Sequence, residues 1–206
     1  MVAAGSGARF GARKQYQLLH GRRVVDVSLD AARTLVGSAA DGLVVVVPQD
    51  RAGEPMAGAD VVVAGGLTRS DSVRAGLEAV PDAAAVIVVH DAARPLASPA
   101  LFAAVVAALD ADGVDGAVPG LPVTDTVKRV RGGEVVATLD RAELVAVQTP
   151  QAFRADILRK AHASGLDATD DAALVELAGG RVVIVPGEPT NVKITTSADL
   201  DRTAGG

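Results

Sequence analysis

Apolar residues along this chain form short unbroken runs. The three clearest runs cover 43–47, 60–64 and 85–89, and all are rich in valine. A proline ends the first run, a glycine pair ends the second, and a His-Asp pair follows the third. Runs without polar alternation are typical of strands that are buried on both faces, as in a parallel sheet.

Stretches with helical spacing lie between and after these runs. Residues 24–36, 72–80 and 99–109 repeat apolar side chains at intervals of three or four, which predicts amphipathic helices. Serine and aspartate side chains at 70–72 are available to cap the second helix. The same pattern predicts helices near 154–164 and 170–178 and strands near 182–185 and 192–195. Alternating strands and helices favour an α/β doubly wound fold, and 1–206 fits a single domain.

The segment 123–147 departs from this alternation. Valines alternate there with Lys and Arg around the Gly132-Gly133 pair, which predicts a β-hairpin with a polar face. An isolated two-stranded hairpin is marginal in water. We therefore expect this β-arm to project from the sheet and to pack against a second copy of the chain, giving a homodimer.

Composition and charge narrow the function classes. The formal charge is −5, no basic stripe is visible, and aromatic residues make up 2% of the chain, which argues against a nucleic-acid partner. No apolar run approaches the roughly 18 residues that a membrane span requires, so no membrane partner is expected. Cysteine is absent, and the start carries no pattern typical of a signal peptide. These features predict a soluble, cytoplasmic protein.

Two segments could bind phosphate groups. The sequence Ala3-Ala4-Gly5-Ser6-Gly7 is followed by Arg9 and Lys14, and glycine-bearing turns let backbone amides approach a phosphate. A flexible N-terminus is the structural alternative. The glycine spacing matches neither the dinucleotide fingerprint nor the P-loop, which makes a dinucleotide-dependent oxidoreductase a poor candidate.

A carboxylate and a lysine are the other candidates. Asp91 follows a predicted strand, where α/β sheets bind ligands, and it could hold Mg²⁺ beside a triphosphate. Its structural alternative is a turn cap paired with Arg94. Lys193 lies in a late apolar segment, where an unpaired ammonium is costly, so it should face an anion.

Eight motifs, taken in order, resemble those of the 2-C-methyl-D-erythritol 4-phosphate cytidylyltransferase family across the whole chain. They are Ala-Ala-Gly-x-Gly-x-Arg from position 3, Lys-Gln-Tyr from 14, Gly-Gly-x-x-Arg-x-x-Ser-Val from 65, His-Asp-Ala-Ala-Arg-Pro from 90, Asp-Thr-Val-Lys from 125, Gln-Thr-Pro-Gln from 148, Thr-Asp-Asp from 169 and Asn-x-Lys-Ile-Thr from 191. The resemblance implies a Rossmann-like α/β domain that dimerises through its β-arm. It also implies cytidylyl transfer from CTP to a polyol phosphate, with Mg²⁺ as cofactor.

The resemblance further implies a role for each matching residue. The residues that would wrap the triphosphate are Ala3, Ala4, Gly5, Ser6 and Gly7, and those that would neutralise or activate phosphate are Arg9, Lys14 and Lys193. Gly66 and Ser72 would sit beside the cytosine, and Asp91 would hold the metal. The residues that would grip methylerythritol phosphate are Arg94, Thr126, Arg141 and Thr149, with the arm reaching into the partner's site.

The chain departs from the family pattern in a few places. Only Met1 and Val2 precede Ala3, so we expect the central first strand of the family to be missing. Arg13 stands where a proline is usual, and Leu67 stands where a polar residue is common. Two other functions remain open at this point: a cytidylyltransferase for ribitol 5-phosphate, and an inactive nucleotide-binding relative.

Overall fold

The computed structural model describes residues 1–5, 7, 10–35 and 42–204. The strands within these residues are β1 (Leu18–Leu19), β2 (Arg22–Arg23), β3 (Val44–Val47), β4 (Val61–Ala64), β5 (Val86–Val89), β6 (Gly116–Pro122), β7 (Lys128–Arg131), β8 (Glu134–Thr138), β9 (Val145–Val147), β10 (Gln151–Arg154) and β11 (Val182–Pro186). The α-helices are α1 (Val24–Arg33), α2 (Arg69–Glu78), α3 (Pro99–Ala107), α4 (Ala155–Ala163), α5 (Asp171–Leu177) and α6 (Ser197–Ala204). Short 3₁₀ helices cover Lys14–Tyr16, Gln49–Arg51, Ala108–Asp110 and Arg141–Glu143.

A mostly parallel sheet organises the molecule. Its order is β4, β3, residues 1–3, β5, β10, β6 and β11, with β9 also paired to β6. Only β10 and β9 run against the other members of this sheet. Parallel strands share one carboxyl edge, so the loops that leave them converge on one side of the molecule.

Residues 1–3 fill the central position between β3 and β5. Val2 forms parallel bridges to both Val46 and Asp91. The amide of Val2 donates to His90 O at 2.8 Å, and the amide of Ala3 donates to Val46 O at 2.7 Å. The expectation of a missing first strand is therefore corrected. Three residues join the two halves of the sheet, through isolated bridges instead of a longer strand.

Helices cover both faces of the sheet, as the doubly wound prediction requires. On one face, α1 and α3 pack on β3 through a cluster that includes Leu29, Val45 and Phe102. On the other face, α2, α4 and α5 pack on β5 and β10 through a cluster that includes Val89 and Phe153. Burial of aliphatic side chains on both faces stabilises the sheet, because apolar area is removed from water on each side. The α/β fold class is confirmed.

Most predicted elements are present, with two corrections. The three valine-rich runs are strands. The helices begin and end within a few residues of their predicted limits. Position 36, the predicted end of the first helix, lies outside the described residues. Helix α2 begins earlier than predicted, because Thr68 is its cap and forms a capping box with Asp71. The predicted strand at 192–195 is wrong: this segment is irregular, and the amide of Ile194 bonds to Ala93 O.

The predicted β-hairpin is confirmed as a local structure. Strands β7 and β8 pair only with each other, and Gly132 and Gly133 form their turn with positive φ angles of 55° and 87°. Positive φ at both central residues suits the right-handed twist of a hairpin. The end of the predicted arm behaves differently, because β9 returns to the main sheet beside β6.

The sequence patterns missed the strands β1, β2, β6 and β10 and the helix α6.

Within the described residues, no helix has both the length and the apolar character that crossing a membrane would require.

Two leucines of α5 allow a matched test of the core. Leu174 is 2% exposed and Leu177 is 71% exposed. We expect Leu174→Ala to lower the free energy of unfolding by about 2–5 kcal/mol, because it leaves a cavity. Leu177→Ala should change it by no more than about 0.5 kcal/mol. Urea unfolding of both variants checks this, and equal losses would contradict the packing described for this face.

Candidate functional site

The candidate segments converge at the carboxyl edge of the sheet. The chain leaves the central position at Ala3, leaves β4 at Gly65 and leaves β5 just before Asp91. These exits lie at the same edge because Val2 is bridged to Val46 of β3 and to Asp91, and β4 pairs in parallel with β3. The glycine-bearing loop, the glycine pair and the carboxylate are thus brought together, as the sequence predicted.

A buried glutamine holds the start of the glycine-bearing loop. Gln15, which is 3% exposed, donates through Nε2 to Ala3 O at 2.7 Å and to Gly5 O at 2.9 Å. Gly7 has a φ of 74°, and a Cβ at this position would lie 1.7 Å from Ala12 O. This turn therefore requires glycine. Ser6 and Arg9 lie outside the described residues, so their predicted roles stay predictions.

The loop offers fewer amides to a ligand than expected. The amide of Ala3 is donated to Val46 O within the sheet. Among the described residues of the predicted loop, this leaves the amides of Ala4, Gly5 and Gly7 available to a phosphate. Lys14 lies just beyond the loop, half-buried in its 3₁₀ helix.

A close approach of backbones forms one wall of a cleft. A Cβ at Gly65 would lie 2.4 Å from Ala4 Cβ and 2.8 Å from Ser72 Oγ, and a Cβ at Gly66 would lie 2.2 Å from Asp71 Cβ. Gly65 therefore lets β4 end against the glycine-bearing loop, and Gly66 lets the chain pass close to Asp71. Beside it is a cleft of about 480 Å³, a volume typical of small-molecule sites. Its lining residues are Ala4, Arg13, Pro48, Gln49, Asp50, Gly65, Gly66 and Leu67.

Ser72 is not part of that lining. Its side chain is buried, and Oγ donates to Thr68 O at 2.9 Å within the first turn of α2. The two residues in which the chain departs from the family pattern do line the cleft. Arg13 forms an exposed ion pair with Asp50 at 2.7 Å, and Leu67 is fully exposed at the rim.

Asp91 is held between two cations. Lys193 Nζ lies 2.5 Å from Asp91 Oδ2, and both Nε and Nη2 of Arg69 lie 3.3 Å from Oδ1. Burial opposes ionisation of this carboxyl group, but the charges of Arg69 and Lys193 outweigh it and hold the pKa of Asp91 well below its usual range. The anion that Lys193 was predicted to face is therefore Asp91. The alternative pairing of Asp91 with Arg94 is wrong.

The charge network continues away from the cleft. Arg69 Nη2 donates to Asp171 Oδ2 at 2.8 Å, and Asp171 Oδ1 lies 2.9 Å from Nε2 of the buried His162. Burial opposes protonation of Arg69, but Asp91 and Asp171 raise its pKa. Sequence reasoning included Arg69 and Asp171 in two of the motifs but assigned them no role. The positions are about a hundred residues apart, so no local pattern could pair them.

His90 and Thr149 fix the backbone of Asp91. The amide of Asp91 donates to Thr149 Oγ1 at 3.0 Å, Thr149 Oγ1 lies 3.1 Å from His90 Nδ1, and His90 Nε2 lies 3.1 Å from Arg94 O. A carbonyl can only accept, so Nε2 carries the proton and Nδ1 accepts from the Thr149 hydroxyl. Burial lowers the pKa of His90 to about 3, which keeps the ring neutral. Thr149, which was predicted to bind the substrate, is buried within this chain of hydrogen bonds.

Among the described residues, the side chains of the other predicted substrate residues form no hydrogen bond or ion pair with the Asp91 carboxylate. The guanidinium of Arg94 donates to Asn191 O at 2.7 Å and to Val147 O at 3.4 Å, so it joins the segment before Lys193 to the end of β9. Thr126 and Arg141 are exposed on the arm side of the molecule, where Arg141 donates to Thr124 O. Among the hydrogen bonds and ion pairs of the described residues, none links these two to Asp91 or Lys193.

Comparison with known proteins agrees with this geometry. The family model described as "IspD: 2-C-methyl-D-erythritol 4-phosphate cytidylyltransferase" matches residues 1–204. The chain is 48% identical to the 2-C-methyl-D-erythritol 4-phosphate cytidylyltransferase of Rhodococcus jostii, covering 96% of this chain and 89% of that protein. It is 46% identical to the bifunctional enzyme IspD/IspF of Nitratidesulfovibrio vulgaris, covering 97% of this chain.

The chain spans about half the length of these bifunctional relatives, 55% in the case of the Nitratidesulfovibrio protein. Among solved structures, it is similar to the 2-C-methyl-D-erythritol 4-phosphate cytidylyltransferase of Thermus thermophilus, with a TM-score of 0.81 and 37% identity. That match covers 99% of this chain and 95% of the other. On the family match over almost its whole length, this chain belongs to the 2-C-methyl-D-erythritol 4-phosphate cytidylyltransferase (IspD) family.

Proposed function

We propose that this chain transfers the cytidylyl group of CTP to 2-C-methyl-D-erythritol 4-phosphate, giving 4-diphosphocytidyl-2-C-methyl-D-erythritol and pyrophosphate. The observation that carries this proposal is the arrangement at the sheet edge in a member of this family. A glycine-walled cleft and a glycine-bearing loop lie beside a buried carboxylate that is paired with a partly exposed lysine. A ribitol 5-phosphate enzyme and an inactive relative are not favoured, since the named relatives are methylerythritol phosphate enzymes.

The cleft and the loop suggest how CTP is oriented. The cleft beside Gly65 and Gly66 would take the nucleoside, because it adjoins Ala4, where the glycine-bearing loop begins. The triphosphate would then follow the amides of residues 4–7 toward Lys14 and Lys193. Backbone amides and fixed cations suit this ligand, because they stabilise phosphate charge without having to reorganise.

The chemistry needs positioning more than proton transfer. An oxygen of the acceptor phosphate attacks the α-phosphorus of CTP in line, a new phosphorus–oxygen bond forms, and the bond to the β-phosphate oxygen breaks. The attacking phosphate oxygen is already an anion, so no general base is required. His90 fits this view, since its ring is neutral and both nitrogens are engaged by Thr149 and Arg94. Catalysis then comes from alignment and charge stabilisation.

Lys193 is the residue best placed to stabilise the developing charge. Its side chain is 36% exposed, whereas the Asp91 side chain to which it is bonded is 11% exposed. The ammonium group is therefore held at the boundary between the buried network and solvent. An ammonium with three donors can keep its bond to Asp91 and still donate to a phosphate oxygen.

Mg²⁺ is the cofactor we propose, with Asp91 as its protein ligand. Asp91 supplies ionised oxygen atoms, the ligand type that Mg²⁺ prefers, although both oxygens now face cations. In the described part of the chain, no three acidic or histidine side chains gather into a metal site. One carboxylate nevertheless fits this ion, which commonly completes its coordination with substrate phosphates and water. When bound, the ion would neutralise charge on the phosphates.

We also propose a homodimer formed through the arm, in the cytoplasm, where CTP is available. Strands β7 and β8 pair with no other strand of the described chain, and Val130, Val135 and Val136 on them are each at least half exposed. An unsupported hairpin with exposed valines favours packing against another surface. Since no hydrogen bond or ion pair among the described residues links Arg141 to Asp91, we propose that the arm carries it to the partner's site.

A direct assay tests the activity. We expect pyrophosphate release from CTP with 2-C-methyl-D-erythritol 4-phosphate, and much less with ribitol 5-phosphate. Lys193→Ala should reduce turnover on the order of a hundredfold or more, with circular dichroism showing a folded protein. Lys160→Ala, at an exposed position on α4, is the matched control and should retain wild-type turnover.

Faster pyrophosphate release with ribitol 5-phosphate would show that ribitol 5-phosphate, and not methylerythritol phosphate, is the acceptor. CTP binding with no turnover on either acceptor would mean an inactive relative.

Subunit mixing tests the position of the arm. Arg141→Ala alone should raise the KM for the acceptor and leave CTP binding nearly unchanged. A heterodimer of Lys193→Ala and Arg141→Ala chains, co-expressed with two tags, contains one site with both native residues if the arm crosses over. At acceptor concentrations well below the raised KM of Arg141→Ala, we therefore expect it to recover about half of the wild-type activity, because one of two symmetric sites is intact. No recovery in the purified heterodimer would place Arg141 in its own chain's site.

A further inference from the structure

The segment that carries Lys193 is irregular, so backbone pairing within a strand does not fix its position. A single backbone bond, from the amide of Ile194 to Ala93 O at 2.8 Å, joins it to the loop after Asp91. Ile194 is fully buried in a small apolar cluster with Leu19 and Val24. On the side before Lys193, Asn191 Nδ2 donates to Gln148 Oε1 and to Thr149 O. The side after Ile194 is held by a residue further along the chain.

Asp199 supplies that contact from the first turn of α6. Its Oδ2 accepts four hydrogen bonds from the two residues that follow Ile194. The amide and hydroxyl of Thr195 donate at 3.0 and 2.6 Å, and those of Thr196 donate at 2.8 and 2.9 Å. Asp199 Oδ1 accepts from Arg202 at 2.5 Å. Hydrogen bonds to the charged form, led by the Thr195 hydroxyl, hold the pKa of Asp199 well below its usual range.

The same helix also packs on the cluster that buries Ile194. Leu200, next to Asp199, packs against this cluster, and Phe10, which follows the glycine-bearing loop, packs against it too. The cluster therefore supports Ile194 from the side of α6.

We propose that Asp199 is a positioning residue for Lys193. Its carboxylate clamps Thr195 and Thr196, and this fixes the distance of the lysine ammonium from Asp91 and from the phosphate to be transferred. The inference rests on the proposed function. A displacement of about 1 Å can cost on the order of a hundredfold in rate, so an exposed lysine at the site needs such a fixed support.

The simplest alternative is that Asp199 only stabilises the start of α6. The bonds between Asp199 and Thr196 are reciprocal, as in a capping box. A cap alone does not explain the two bonds to Thr195, which lies before the capping residue and closer to Lys193. The two roles differ in one measurable way: a positioning residue loses its effect on turnover when Lys193 is absent.

A set of variants separates these roles. We expect Asp199→Ala to reduce kcat on the order of ten- to a hundredfold, with a smaller change in the KM for CTP. Asp199→Asn should restore most of the turnover, because its carbonyl oxygen can take the place of Oδ2 and accept the same four bonds. Asp201→Ala is the matched control, since Asp201 is exposed on the same helix, and it should match the wild type.

The double variant provides the decisive readout. In a Lys193→Ala background, measured at high enzyme concentration, adding Asp199→Ala should reduce the residual turnover less than about twofold. An equal loss in both backgrounds, or wild-type kcat in Asp199→Ala, would overturn the positioning role. If Asp199→Ala does not fold, Thr195→Val replaces it and should lower kcat several-fold, again only when Lys193 is present. Full activity of Lys193→Ala would instead refute the proposed site itself.

Discussion

The buried carboxylate of Asp91 is the constraint on which the site depends. A charge at this depth is costly unless it is paired, and removing one partner of such a pair leaves the other uncompensated. Here the pairing brings together Lys193 from the segment before α6 and Arg69 from the start of α2. Arg69 is shared with Asp171 at the start of α5. One carboxylate thus fixes the relative positions of three chain segments around the end of β5.

The site also requires that backbone segments approach each other closely, and the parallel sheet makes this possible. Val2 lies between β3 and β5, so the loop that follows it leaves the sheet beside Asp91. Gly65 lets the end of β4 contact Ala4, since any larger residue would overlap both Ala4 and Ser72. The cleft, the loop and the charged network are therefore adjacent because of strand order and glycine placement. α/β sheets of this kind commonly bind nucleotides at their carboxyl edge.

Much of this arrangement could be predicted from the sequence, and the failures have physical causes. Local sequence patterns predict the valine runs, the arm and the glycine-bearing loop. The energetic cost of an unpaired ammonium predicts that Lys193 faces an anion. The identity of that anion did not follow, because Asp91 is 102 positions away. The strand predicted at 192–195 is absent because Thr195 and Thr196 donate to Asp199 instead of to a neighbouring strand. Strand β6 was missed because it contains Pro119, Gly120 and Pro122, which weaken the usual strand pattern.

The central claim is that these elements form a single nucleoside triphosphate site. A crystal structure of this chain with CTP tests it most directly. We expect the base in the cleft beside Gly66 and the triphosphate along residues 4–7, with a phosphate oxygen within hydrogen-bonding distance of Lys193 Nζ. A triphosphate bound on another face, with the cleft empty and Lys193 bonded to Asp91 alone, would contradict it.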